Sequence, residues 1–142
     1  MRVNRLIKVA GAAVVAALCL PVALGAQTAQ SLGSITLAKS VIADGQPLAA
    51  GTYTLRLSAD TAAAVVGQPA GSERWVEFVQ GGKVKGRELA SVVSAADVKA
   101  VAKMPPPAAG SAKVQMLKGD EYVRVWVNRG GQNYLVHLTA AK

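Results

Sequence analysis

The chain has 142 residues, 16 Lys and Arg against 8 Asp and Glu, one His and one Cys, and 51% of it is apolar. That length suits a single small domain able to bury one core. One imidazole and one thiol leave out zinc and copper sites of the usual kind, which take several His or Cys ligands.

The opening "MRVNRLIKVAGAAVVAALCLPVALGAQ" places Arg2, Arg5 and Lys8 before an apolar run from Val9 to Leu20, then Pro21 and small residues. Basic, apolar and small-residue regions in that order have the form of a secretory signal peptide, and the run falls short of the roughly 20 residues that a membrane span needs. Residues 1–26 are therefore read as a signal peptide, cut after Gly25 or Ala26. Residues 27–142 are read as one exported domain, periplasmic or extracellular, with no membrane span after cleavage. Cys19 follows the bulky Leu18, where a lipid-attachment site wants a small residue, so it departs with the leader. The mature domain then has neither a disulfide nor a thiolate metal site. Three of the 16 bases lie in the leader, so the net charge falls from +8 to +5. The charges form no run, and the excess suits solubility more than a nucleic-acid partner.

From Gly33 to Gly67 the chain reads as a strand, a tight turn at Asp44-Gly45, and a strand that points Tyr53, Leu55 and Leu57 inward. Within it, "DGQPLAAGTYTLRL" resembles a turn, L-x-A-G-x-Y and strand pattern of small secreted bacterial β-proteins and of immunoglobulin-like modules. The resemblance spans about fourteen residues. It implies a β-turn feeding a core strand and carries over no catalytic residue.

The next unit, "RWVEFVQGGKVKGREL", is a hairpin in which a two-residue loop at Gly81-Gly82 sets Phe78 against Lys85 and Val76 against Arg87. A three-residue loop, Gln80 to Gly82, is expected instead. It pairs Phe78 with Val84, Glu77 with Lys85, Trp75 with Arg87 and Arg74 with Glu88, each pair contributing about 0.2–1 kcal/mol. Lys83, Lys85 and Arg87 then form a candidate basic strip, part-neutralised by Glu77. The glycines lack the spacing of a phosphate-binding loop, and a solvated sheet edge is the favoured reading of the strip.

Residues 94–112, "SAADVKAVAKMPPPAAGSA", read as a crossover. Ser94 and Asp97 suit a helix start, Val98, Val101 and Ala102 share one face, and Pro105 to Pro107 end the helix in an extended segment.

The last stretch, "KVQMLKGDEYVRVWVNRGGQNYLVHLTA", is a three-stranded meander whose two turns can be checked against each other. A Gly130-Gly131 loop pairs Val127 with Tyr134, Val125 with Val136 and Val123 with Leu138. A turn at Gly119-Asp120 pairs Met116 with Val123, Val114 with Val125 and Ala112 with Val127 on the same apolar side. The opposite side carries three rows: Lys113, Trp126 and Leu135; Gln115, Arg124 and His137; Leu117, Tyr122 and Thr139. Lys113, Gln115, Tyr122, Arg124, Trp126 and His137 make a candidate binding face, and the same side chains equally suit packing under the crossover.

These elements predict an all-β, single-domain antiparallel β-sandwich or partly open barrel, with a C-terminal three-stranded meander and one short helix or loop crossover. No G-x-S-x-G elbow accompanies His137 and the acids are scattered, so no catalytic, metal or cofactor site is expected. The expected role is a structural or protein-interaction module of the cell envelope, with another envelope protein as partner. The alternative is binding of a glycan or anionic envelope polymer through the Trp126 face.

Overall fold

The computed structural model describes residues 29–142, and the signal-peptide reading lies outside them. Nine strands and one short helix follow in chain order: β1 (Ser31–Leu37), β2 (Val41–Ala43), β3 (Gln46–Leu48), β4 (Gly51–Leu57), β5 (Glu73–Gln80), β6 (Lys83–Ser94), α1 (Val98–Ala102), β7 (Ala112–Leu117), β8 (Tyr122–Arg129) and β9 (Gln132–Ala140). Every ladder is antiparallel, in the order β1-β4-β5-β6-β9-β8-β7, and the sheet curls into a nearly closed barrel. The small β2–β3 hairpin joins β9 beyond the end of the β6–β9 ladder, where Val41 and Ile42 pair with Ala140 and Thr139.

Alternation along the strands fills the barrel. Leu32, Ile35, Leu37, Tyr53, Leu55, Leu57, Val76, Phe78, Val123, Val125, Val127, Tyr134, Val136 and Leu138 form one buried cluster. Tyr53 meets Phe78 edge to face at 6.1 Å, and its hydroxyl donates to the Ala49 carbonyl at 2.6 Å, so the ring is buried with its polar tip satisfied. In β1, strict alternation from Leu37 and Ile35 would turn Gly33 inward. A bulge between Ser31 and Gly33, with Gly33 at φ 106°, brings Leu32 into the core instead.

The expected pair of N-terminal strands is subdivided. The Asp44-Gly45 turn stands, but it belongs to the short β2–β3 hairpin, while β1 pairs directly with β4. The chain breaks at Ala38 to Ser40 and at Ala49-Ala50, which lets the hairpin reach across to β9.

The β5–β6 hairpin corrects the expected three-residue loop. Gly81 and Gly82 form a two-residue loop with φ 59° and 74°, and Gln80 pairs with Lys83. Two positive φ values in a row match the twist of a tight hairpin, and glycine adopts them without steric cost. The clash of Phe78 with Lys85 is removed further on by a bulge. Val79 pairs with Val84, Phe78 with Gly86, Glu77 with Arg87 and Trp75 with Leu89. The expected cation over an aromatic ring forms diagonally, with Arg87 4.2 Å from the centre of Trp75.

In the meander, every expected cross-strand pair is present on both faces. Strand β6 is followed in the chain by β7 but lies two strands away from it, beyond β9 and β8. The connection must therefore pass over the outer face of those two strands.

Strands β1 and β7 are the edges of the barrel. Six antiparallel steps separate them, so they run in the same direction, and no ladder joins them. Between them lies a hollow of about 210 Å³ bordered by Leu37, Val114 and Met116.

Val125→Asp places an unpaired charge inside the barrel and should unfold the domain, at a cost of several kcal/mol. Thr54→Asp, on the exposed side of β4, should leave the melting temperature within a few degrees of the parent. Circular-dichroism melts of the two variants check the inward and outward assignment; equal losses would contradict it.

Candidate functional site

The three outer rows of the meander lie in different surroundings, and the path of the crossover decides which. Ser94 and Asp97 close the turn that leads into the helix: the Ser94 hydroxyl donates to the Asp97 carboxylate, and the Asp97 N–H donates to Ser94 Oγ, with Asp97 itself as N-cap. One turn of helix then sets Val98 and Ala102 on the sheet. Val101, expected on the same face, is 54% exposed, because five helical residues present only the i and i+4 positions to the strands below.

The first row is covered. Trp126 is 0% exposed and packs with Val98, Ala102, Leu135 and Val93 in a second apolar cluster outside the barrel. Its indole N–H donates to Asn133 Oδ1 at 2.9 Å, and Lys113 Nζ lies 4.7 Å from its ring centre. A ring in this position touches no ligand, so Trp126 leaves the candidate binding face and becomes the anchor of the crossover.

The donors around it serve the crossover as well. A proline segment has no internal hydrogen bonds, so its carbonyls need donors from elsewhere. Lys113 Nζ reaches Pro105 O at 3.0 Å and Asn128 Nδ2 reaches Pro107 O at 2.8 Å. The Gln115 amide reaches the Met104 sulfur. Lys113 and Gln115 are thereby engaged in holding the covering segment.

The second row is the boundary. Arg124 Nη1 lies 3.4 Å from the Ala102 carbonyl at the end of α1, and its Nε–H donates to His137 Nε2 at 3.1 Å. Burial, and after it the neighbouring Arg124 charge, hold the His137 pKa below its ordinary 6.5. The third row is open. Tyr122 is 38% exposed, with Lys118 Nζ 5.5 Å from its ring centre. Leu117, Lys118, Tyr122, Arg124 and His137 line a shallow hollow of about 320 Å³.

Lys83, Lys85 and Arg87 do not act as one strip. The bulge at Lys85 interrupts the alternation, and Arg87 is drawn away to Asp60 at 2.9 Å and Asp44 at 3.6 Å while stacking on Trp75. Glu77, expected to neutralise the strip, pairs with Arg56. Arg87 thus clasps the β2–β3 turn and the β4–β5 connection to the sheet, which the sequence did not disclose. Among the described residues no three His, Cys, Asp or Glu side chains gather into a metal-binding group, and no helix is long and apolar enough to cross a membrane.

Comparison with protein families, characterised proteins and solved structures returns no match to this chain.

Trp126→Ala should remove the centre of the outer cluster and cost on the order of 3–5 kcal/mol, a large share of a small domain's stability. Chemical denaturation monitored by far-UV circular dichroism measures it; a loss below about 1 kcal/mol would show that the ring is solvated.

A second outcome follows from His137. Its folded pKa is depressed, so the neutral ring is favoured in the folded state, and the unfolded chain binds more protons as pH falls below 6.5. This contribution to stability is complete above 6.5 and is lost as pH drops through the lower folded value. Melting temperature should therefore fall as pH is lowered below about 6.5, before the ordinary carboxylate range is reached. His137→Gln, which keeps an acceptor for Arg124, should flatten that slope.

Proposed function

We propose that the chain is an exported, non-catalytic β-domain that acts as a structural or protein-interaction module of the cell envelope. The observation that carries this reading is the burial of Trp126: the largest aromatic side chain of the candidate face is committed to holding the crossover. A domain that uses its best stacking ring as an internal anchor is built for a fixed shape. The single imidazole favours the same reading. His137 accepts from Arg124 through Nε2, which occupies the nitrogen that a general base would use. The two sheet edges, β1 and β7, are joined by no ladder to each other and offer backbone groups to a partner protein, a recognised way for one β-domain to engage another. Recognition of a glycan or anionic polymer, the alternative, retains only Tyr122, Arg124 and His137 of its original face.

Export and engagement are tested together. The mature protein, recovered from outside the cytoplasm, should begin by mass at Ala26 or Gln27; intact Met1 with membrane retention would overturn the exported reading. A photo-crosslinking residue at Met116, 38% exposed at the β7 edge, should give a discrete adduct with another envelope protein in living cells, and one at Thr54 should not. Equal labelling from both positions, or none from Met116, would count against the interaction module.

A further inference from the structure

The open end of the meander's outer face collects positive charge without the acids that accompany it elsewhere. Among the described residues, Lys39 pairs with Asp120, Arg56 with Glu77, and Arg87 with Asp44 and Asp60. Arg124 and Lys118 have no such pairing, and no carboxylate lines the hollow they share with Leu117, Tyr122 and His137. Tyr122 and Leu117 provide an apolar floor, and the charges stand around it.

The contact between Arg124 and His137 sharpens this. Arg124 donates Nε–H to His137 Nε2, which leaves the imidazole proton on Nδ1. When the ring gains a second proton, Nε2 stops accepting and a positive charge appears beside the guanidinium. The two groups then repel, and the Arg124 Nε–H and the new Nε2–H face each other as donors without an acceptor between them. An anion lying against both removes the conflict. A carboxylate suits best, since its two oxygens match the planar fork of an arginine. The remaining charged or titratable groups facing the imidazole across the hollow are Lys118 and Tyr122, which also favour an anion.

We propose that this hollow binds a small carboxylate carried on an apolar body, with the carboxylate against Arg124 and His137 and the body on Tyr122 and Leu117, and that it binds more tightly once His137 is protonated. The site stands independently of export and of any protein partner, because all five residues belong to the folded domain. Lys118, 5.5 Å above the Tyr122 ring, is placed to close over the body of the ligand.

The experiment uses hexanoate, acetate and hexanol as probes of the purified mature protein, followed by NMR of the His137 ring and the Arg124 side chain. Measurements at about pH 5.5 and about pH 7.5 stand either side of the ordinary histidine value. Hexanoate should shift both signals, bind at least about five-fold more tightly at the lower pH, and raise the His137 pKa by linkage. Acetate should bind more weakly, and hexanol should leave the His137 ring signal in place. Tyr122→Ala, at an exposed position, should weaken hexanoate towards acetate, while Arg124→Gln should abolish the response to both. A far-UV circular-dichroism spectrum and melting temperature close to the parent's verify that each variant is folded. The proposal is overturned if hexanoate leaves His137 unmoved, if its affinity is the same at both pH values, or if acetate binds equally well.

Discussion

The pairing of β8 with β9 is the constraint on which the rest of the molecule depends. Side chains alternate across a strand, so one choice of register assigns Val123, Val125, Val127, Tyr134, Val136 and Leu138 to the barrel and Trp126 and Leu135 to the outside. Strand β9 then carries β6 and β2 along its other edge, so both apolar clusters and the β2–β3 hairpin are positioned from the same ladder. A slip of one residue would place Arg124 and Asn128 in the core and strip the crossover of its anchor.

That register was legible in the sequence because two turns, at Gly119-Asp120 and Gly130-Gly131, point independently to one apolar face. The β5–β6 hairpin was half legible. The mismatch of Phe78 with Lys85 was visible, but a longer loop and a later bulge relieve it equally well in one dimension, and only the bulge keeps the tight Gly81-Gly82 turn. The division of the N-terminal segment was hidden, since nothing local in Ala38 to Ser40 announces that Val41 will pair with Ala140 at the far end of the domain. For the candidate site, the sequence gathered the right three rows and left open which were covered. The answer lies in the route from β6 to β7, a property of strand order that local pattern does not contain.

The polar residues of the meander's outer face also illustrate why a face rich in functional-looking side chains can be structural. Lys113, Asn128 and Arg124 meet the carbonyls of Pro105, Pro107 and Ala102 respectively. Helix ends and proline segments share one defect, backbone acceptors without local donors, and the sheet below supplies what is missing. Donors that hold a polyproline strap resemble, in sequence, donors that hold a sugar. The hollow near Tyr122 persists because the helix ends at Ala102 and the strap turns towards Asn128, away from the third row.

The seam between β1 and β7 has a consequence for self-association. Two edges that run in the same direction cannot be sealed by an antiparallel ladder within one molecule, and an odd run of seven main strands always leaves them so. A second copy related by a two-fold axis can lay β7 against β7, or β1 against β1, in the favoured antiparallel sense. Each such pairing leaves the other edge of both copies free, so the two contacts can alternate and carry assembly beyond a dimer. The bulge at Gly33 is where that growth is checked, since it breaks the straight run of backbone donors and acceptors that a facing β1 would need.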